Sequence, residues 1–559
     1  MCYSEVERDE PLSPLGRLLL TTDQIVHCIM GCENPIDVAA VTSDIANSVM
    51  IQLPRFSSLL VRDSNGRENW HKTHVDVPRH VIVVEDPVSD AADEEAVNDY
   101  VANLAVSVPL SSDKPLWEVH LLRAHNCIIF RIHHALGDGI SLMSMLQEWC
   151  RRADEPDRRS SMGSMGTYSN SSSNQVKRKR ALWKVVVGML MGLRFIMQFV
   201  LRAFWVKDKR TAVSGGAGVE LWPRKLATAK FWLDDMKVVK KAVADARCED
   251  LGASAVVKVT NKDDAGTVPP LVVLYLISCV STLVVEGRGN NQQELPPVAL
   301  RQSTRFREPP RILLEGNFIG PHQSLNQVVG DSHHLCPLKT INDVLIGVIS
   351  SGLSRYLDLQ SPRALQDGVQ ITGLAMVNLR KQSGLQELSD MMRRDSGIRW
   401  GNKFGMLLAP VYYHQGGANP LQYVKIAKQM MDQKKQYSLE AQFSYNVEKF
   451  LMIYFGPQVA SWLNYRIVCN TTFTLSNVIG PKEDITIAGN PVKYLRLNNT
   501  SLPHAITMHM LSYAGRVDMQ ILVAKDIIPD PQVLAKCFED ALHQMKEAAT
   551  KLKNEEYVE

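Results

Sequence analysis

The alternation of apolar and polar positions is sharpest between Trp117 and Trp149. Cys127 to Ile132 is rich in β-branched and aromatic residues, and Trp117 to Leu122 precedes it, so the pattern predicts two strands joined by a turn through His125-Asn126. Ile140, Met143, Leu146 and Trp149 then recur at helical spacing, which makes the segment between them a strand-to-helix corner. A further strand is expected at His80 to Glu85. Beyond Trp232, Leu233, Met236, Val239 and Val243 predict an amphipathic helix to Ala246. Regular patterning resumes at Thr340, with a helix over Val344 to Leu357 and strands over Val369 to Leu379 and Met406 to Tyr413. Helices are expected at Tyr423 to Met431 and Leu451 to Leu463, strand-like runs at Thr472 to Val478 and His504 to Val523, and a last helix over Asp530 to Lys553. Such mixing of the two periods points to an α/β protein.

The chain has 559 residues, enough for two domains that each bury a substantial core. Residues 1–150 are expected to form the first and residues 339–559 the second. With 45% hydrophobic and 22% charged residues the composition is globular, and a net charge of +3 gives no sign of nucleic-acid binding. The charge is unevenly spread: Asp86 to Asp99 is acidic, whereas Arg151 to Arg210 is basic. Residues 151–210 begin with a Ser/Gly/Asn-rich run ending in Lys177-Arg-Lys-Arg180, read as a linker; as a nuclear localisation signal such a cluster is weak evidence.

Trp183 to Val206 follows, 24 residues that as a helix would extend roughly 36 Å. Lys184, Arg194, Gln198 and Arg202 fall within roughly an 80° arc of it at about 100° per residue. A polar stripe on an apolar helix beside a basic cluster is the pattern of a membrane-associated helix, with a buried core helix carrying paired arginines as the alternative. Residues 211–246 form a crossover segment. Residues 247–338, with one apolar run from Leu271 to Val285, read as an atypical insertion, disordered or an artefact of the gene's exon assignment.

Chemistry concentrates at Arg131-Ile-His-His-Ala-Leu-Gly-Asp-Gly139. A histidine at such a corner can accept a proton near neutral pH, and Gly137 and Gly139 leave room for close approach. The pair could instead cap backbone groups, and Asp138 stands where an N-cap belongs. The ten cysteines are scattered without metal-ligand spacing, so no metal site is expected and a reduced, cytosol-facing chain is the simplest reading. Met1 to Asp9 has no signal-peptide pattern.

The pattern His-His-x-x-x-Asp-Gly resembles the motif of the CoA-dependent acyltransferase superfamily. Glu10-Pro-Leu-Ser-Pro14, Lys114-Pro-Leu-Trp-Glu-Val-His-Leu121, Thr340-Ile-Asn-Asp-Val344, Met376-Val-Asn-Leu-Arg380, Gly401-Asn-Lys-Phe-Gly405 and Ser476-Asn-Val-Ile-Gly-Pro481 resemble, together and in this order, the plant wax ester synthase/diacylglycerol acyltransferase family. The resemblance implies two chloramphenicol-acetyltransferase-like domains forming a channel, and a reaction in which an acyl-CoA esterifies a long-chain fatty alcohol, a diacylglycerol or both. Acyl-CoA would be a co-substrate, with no bound cofactor. It implies His134 as general base, His133 as support, Asp138 as an orienting residue and Gly139 as substrate clearance. Pro115, Leu116, Trp117, Asn477 and Gly480 would contact substrate. Asn342, Asp343 and Arg380 would be structural, Arg380 as a partner for Asp138. The basic helix adds a seat on the cytosolic face of the endoplasmic reticulum membrane, or on the plasma membrane. Two rival readings are a soluble acyltransferase for a smaller alcohol or amine, and a catalytically inactive lipid-associated protein.

Overall fold

In the computed structural model the protein is described over residues 10–89, 91–107, 109–155, 192, 194–245, 340–362, 364–380, 388–392, 400–415, 419–433 and 437–555. The chain divides into two compact units, Met1–Ala246 with Leu338–Glu559, and Arg247–Pro337. The second unit, which contains the expected insertion, lies outside the described residues, as do the linker from residue 156 and the first part of the basic helix.

The first unit is built on two large sheets. One has seven strands in the order Val81–Val84, Trp117–Leu122, Cys127–His133, Ile25–Cys32, Asn490–Asn499, Ile485–Ile487 and Arg151–Arg152. The other has six: Phe404–Tyr412, Gln370–Asn378, Phe473–Ile479, Ile506–Tyr513, Arg516–Ala524 and Arg224–Trp232. Each sheet therefore borrows from the other half of the sequence. Asn490–Asn499 pairs antiparallel with Ile25–Cys32, and Arg224–Trp232 pairs antiparallel with Arg516–Ala524. Hydrogen-bonded strands at these two seams tie the halves together through the backbone, which side-chain packing alone would not do.

Alternation decides which face of each strand meets the core. Along Cys127–His133, Ile128, Phe130 and Ile132 pack against Leu142, Met143, Leu146 and Trp149 of the helix Gly139–Trp149. Arg131 points to the opposite face, where it is fully buried and pairs with Glu118 on the neighbouring strand. That alternation fixes the register with which the strand delivers His133 and His134 to its end.

Element boundaries depart from the sequence pattern where turn chemistry intervenes. His504 to Val523 is two strands, because Ala514 and Gly515 both adopt positive φ and close a tight hairpin. The expected helix at Leu451 to Leu463 straddles two, Tyr437–Tyr454 and Gly456–Cys469, separated where Gly456 takes φ +81°.

The membrane-associated helix is the main correction. Its described part, residues 194–204, packs one face on the protein: Phe195 and Ala203 are buried, and Phe199, Phe204 and Ala203 join Leu374, Leu408 and Ile467, while Arg194, Ile196, Met197 and Gln198 are exposed. Arg202, placed by periodicity on the polar stripe, is buried. Its guanidinium donates to Asp208 at 2.8 Å, to Thr372 at 2.9 Å and to the Asn470 carbonyl at 3.2 Å. An interfacial helix would turn that charge toward headgroups and water, whereas here the protein supplies every partner. Among the described residues no helix is long and apolar enough to cross a membrane. The expected seat on the endoplasmic reticulum or plasma membrane rested on this helix and is withdrawn with it.

Candidate active site

The corner between strand Cys127–His133 and helix Gly139–Trp149 is held from both sides. His134 N–H donates to the Gln24 carbonyl at 2.7 Å, and Leu136 N–H to the His133 carbonyl at 2.9 Å. Asp138 is the N-cap of the helix, accepting from Ser141 N–H at 3.0 Å. Its other carboxylate oxygen accepts from Arg380 Nη1 at 2.6 Å and from Lys403 N–H at 2.9 Å. The Arg380 side chain is almost fully enclosed, and its Nη2 also reaches the Gly401 carbonyl at 2.7 Å and Ser141 Oγ at 3.1 Å. Asp138 and Arg380, 242 residues apart, thus form one buried ion pair with further hydrogen bonds to each partner.

His134 faces a different neighbour. Its Nδ1 lies 3.1 Å from Asn402 Oδ1, while Asn402 Nδ2 donates to the His134 carbonyl at 2.8 Å. Because the amide NH2 is committed to that carbonyl, Oδ1 is the acceptor and Nδ1 must carry the hydrogen. Nε2 is then left with its lone pair, the arrangement a proton acceptor needs. Burial pushes the His134 pKa below its ordinary value, opposed by the Asp138 charge and the Asn402 bond, so the ring is neutral at pH 7. The Phe404 ring packs against it with centroids 5.6 Å apart. His509, on strand Ile506–Tyr513, is a second neutral imidazole in the electrostatic neighbourhood; burial, with His134 adding to it, pushes its pKa down to about 4.

His133 is buried and points away from this arrangement: its Nδ1 accepts from Ala135 N–H at 3.1 Å, and Nε2 lies 3.5 Å from Asp23. Gly139 sits where the two sheets' elements meet, since a Cβ there would stand 3.1 Å from Val478 Cγ2. Pro115 and Leu116 are buried, and the Leu116 carbonyl accepts from His133 N–H at 3.0 Å. Trp117 is core, its Nε1 donating to the Phe56 carbonyl at 2.9 Å and its ring stacked on His80. Asn477 Nδ2 donates to Asn342 Oδ1 at 2.8 Å, so those two meet each other. Asp343 closes a capping box with Thr340 at the start of helix Ile341–Gln360. Gly480 permits a close backbone approach, its missing Cβ falling 2.5 Å from the Ser512 carbonyl oxygen. Asn402 is the contact that motif reading did not assign, although it lies inside Gly401-Asn-Lys-Phe-Gly405. Among the described residues no cluster of ligating side chains could hold a metal ion.

The fold, with a histidine corner between two strand-exchanged sheets, is shared by solved structures of low sequence identity. The wax ester synthase/diacylglycerol acyltransferase from Marinobacter aquaeolei VT8 superposes with a TM-score of 0.50 at 14% identity, covering 97% of this chain and 100% of that one. The first condensation domain of the calcium-dependent antibiotic synthetase gives 0.50 at 10% identity, with 97% and 96% covered. Sequence narrows the class. Residues 29–251 match the wax ester synthase/diacylglycerol acyltransferase catalytic domain and residues 400–546 the WS/DGAT C-terminal domain. Wax ester synthase/diacylglycerol acyltransferase 11 of Arabidopsis thaliana is 29% identical over 97% of this chain and 96% of its own length, and number 2 of the same plant is 28% identical over 98% and 97%. The chain belongs to the wax ester synthase/diacylglycerol acyltransferase family, and it is an acyl-CoA-dependent O-acyltransferase with acyl-CoA as co-substrate.

Proposed function

We propose that the protein esterifies long-chain fatty alcohols, diacylglycerol or both, with His134 as the general base. An alcohol is a weak nucleophile, and a base at hydrogen-bond distance contributes typically about 10²–10⁴-fold. The acceptor hydroxyl gives its proton to Nε2 of His134 as its oxygen adds to the thioester carbonyl. The tetrahedral intermediate then collapses, the C–S bond breaks, and the imidazolium returns the proton to the departing CoA thiolate. No net proton is gained or lost.

The observation that carries this reading is the two-point contact between Asn402 and His134, which fixes the tautomer with Nε2 open. The Asp138–Arg380 pair holds the loop without touching the reacting atoms. The relatives' double name, wax ester synthase/diacylglycerol acyltransferase, supports both acceptor classes. The test is His134→Ala assayed with radiolabelled palmitoyl-CoA against hexadecanol and dioleoylglycerol, with the lipid products resolved. Ester formation should drop by roughly 10²–10⁴-fold while the thermal melt is retained; a folded variant with most of its activity removes His134 from the role.

A further inference from the structure

The thioester carbonyl needs a partner that His134 does not provide. When the acceptor oxygen bonds to the carbonyl carbon, the π pair moves onto oxygen as a negative charge, and a hydrogen-bond donor already aimed there lowers the barrier. His134 offers a lone pair at Nε2 rather than a hydrogen. The Arg380 guanidinium is committed to Asp138, the Gly401 carbonyl and Ser141. Asn477 turns its amide to Asn342.

His509 is placed for the task by its strand. Side chains alternate along Ile506–Tyr513, so Thr507, His509, Leu511 and Tyr513 share one face. Leu511 and Tyr513 pack into the cluster that holds Leu136 and Leu142 around the histidine corner. Leu511 is also the register partner of Val478, whose Cγ2 stands 3.1 Å from where a Gly139 Cβ would be. His509 is thus one step along the face with which the six-stranded sheet closes on the corner, near enough to His134 for that ring to lower its pKa. Thr507, Leu511 and Tyr513 are buried, whereas His509 keeps exposed surface within this interior.

The ring's hydrogen can be assigned. Nδ1 of His509 is enclosed and has no hydrogen-bond partner among the described residues. A neutral imidazole carries one N–H, and enclosing it unpaired costs more than enclosing an unpaired lone pair. The hydrogen therefore belongs on Nε2, at the outer end of the ring. Burial brings the pKa to about 4, so the ring is neutral at pH 7. Neighbouring histidines are spent or shut in: His504 bridges Thr471 and Thr474, His133 accepts from Ala135 N–H, and both nitrogens of His27 are enclosed.

Resting on the acyltransferase reading above, we propose that His509 is a second catalytic residue, whose Nε2–H donates to the thioester carbonyl oxygen and stabilises the oxyanion as the acceptor adds. His134 and His509 then act as opposite tautomers, one bare at Nε2 and the other carrying a hydrogen there. That hydrogen stays on His509. The electron pair re-forms the carbonyl as the C–S bond breaks, and the one proton that moves is the one His134 carries from hydroxyl to thiolate.

The experiment compares the full chain with His509→Leu, which removes the donor, and His509→Gln, whose amide NH2 falls close to the former Nε2–H. Palmitoyl-CoA labelled with heavy carbon at the carbonyl is bound without acceptor, and its carbonyl stretch is read by isotope-edited infrared spectroscopy. Donor affinity and kcat with hexadecanol are measured alongside. In the parent and His509→Gln the stretch should lie below that of the free thioester, and in His509→Leu it should return toward the free value. His509→Leu should lose roughly 10²–10³-fold in kcat with donor affinity near the parent's, and His509→Gln should recover most of it. The proposal is overturned if His509→Leu, folded by its thermal melt, keeps the parent's stretch or its kcat. The parent alone can also overturn it, by binding the donor with the stretch of the free thioester. That frequency needs neither base nor acceptor, so it tests His509 separately from the His134→Ala assay that tests the acyltransferase reading.

Discussion

Asp138 and His134 are four residues apart in one loop, and each reaches a residue more than 240 positions away, yet the two contacts differ in kind. Asp138 meets Arg380 inside the protein, both charges enclosed and every other bond nearby directed at holding the loop: Lys403 N–H, Ser141 and the Gly401 carbonyl. His134 meets Asn402 with one nitrogen and leaves the other without a hydrogen-bond partner among the described residues. The difference teaches that a buried charge pair is used here for position, and a neutral, partly open imidazole for chemistry. A charge inside the protein is tolerated when it is paired and hydrogen-bonded, and a charge held in that way is committed to its partners rather than to a substrate.

Breaking the inner contact should have the larger effect. Arg380→Ala strands the Asp138 carboxylate and is expected to cost about 3–5 kcal/mol of stability, read from denaturant unfolding. Arg380→Lys should recover little, because a lysine ammonium cannot serve Asp138, the Gly401 carbonyl and Ser141 with the planar fork that guanidinium provides. If Arg380→Ala unfolds like the parent, the pair is not what holds the loop.

Breaking the outer contact should spare the fold and weaken turnover. Asn402→Ala is expected to lower kcat by roughly 10–100-fold with a melt close to the parent's, because the imidazole loses its tautomer and orientation while remaining in place. A rise in KM alone, with kcat untouched, would show that Asn402 serves binding instead. The same substitution sharpens the comparison through pH. Burial lowers the pKa of His134 and the Asn402 bond raises it, so the parent's kcat/KM should be flat near pH 7 and fall as pH drops through a value below 6.5, when Nε2 becomes protonated. Removing the Asn402 bond should move that acid limb to still lower pH, and a shift the other way would reverse the assigned hydrogen-bond direction. The smallest effect is expected at Ser141→Ala, which deletes one hydroxyl shared by Gly401 and Arg380. It should cost about 1–2 kcal/mol of stability and leave the pH profile unmoved.

Much of this loop was legible from local pattern. Period two over Cys127 to Ile132, followed by helical spacing from Ile140, places the histidines at a corner, and a short polar residue just ahead of the helix marks Asp138 as its cap. Asn402 was not legible as a partner. Nothing local distinguishes an asparagine in a glycine-rich loop that contacts a ring 268 residues earlier from one that caps a turn. Arg202 misled for a related reason. Its angular position on the helix matched a polar stripe, but periodicity cannot see Asp208 and Thr372, which make its burial tolerable.

By itself, then, the sequence determined the elements, the corner that carries His133 and His134, and the family in whose company its motifs fall, because these depend on neighbours within a turn or a strand. Only the tertiary structure decided that strands are exchanged between the sheets, that the charged helix end belongs to the core, and that Arg380 and Asn402 share one short loop between them. Those outcomes rest on contacts between residues hundreds of positions apart, where burial and the need to pair every enclosed polar group, rather than local propensity, choose the partner.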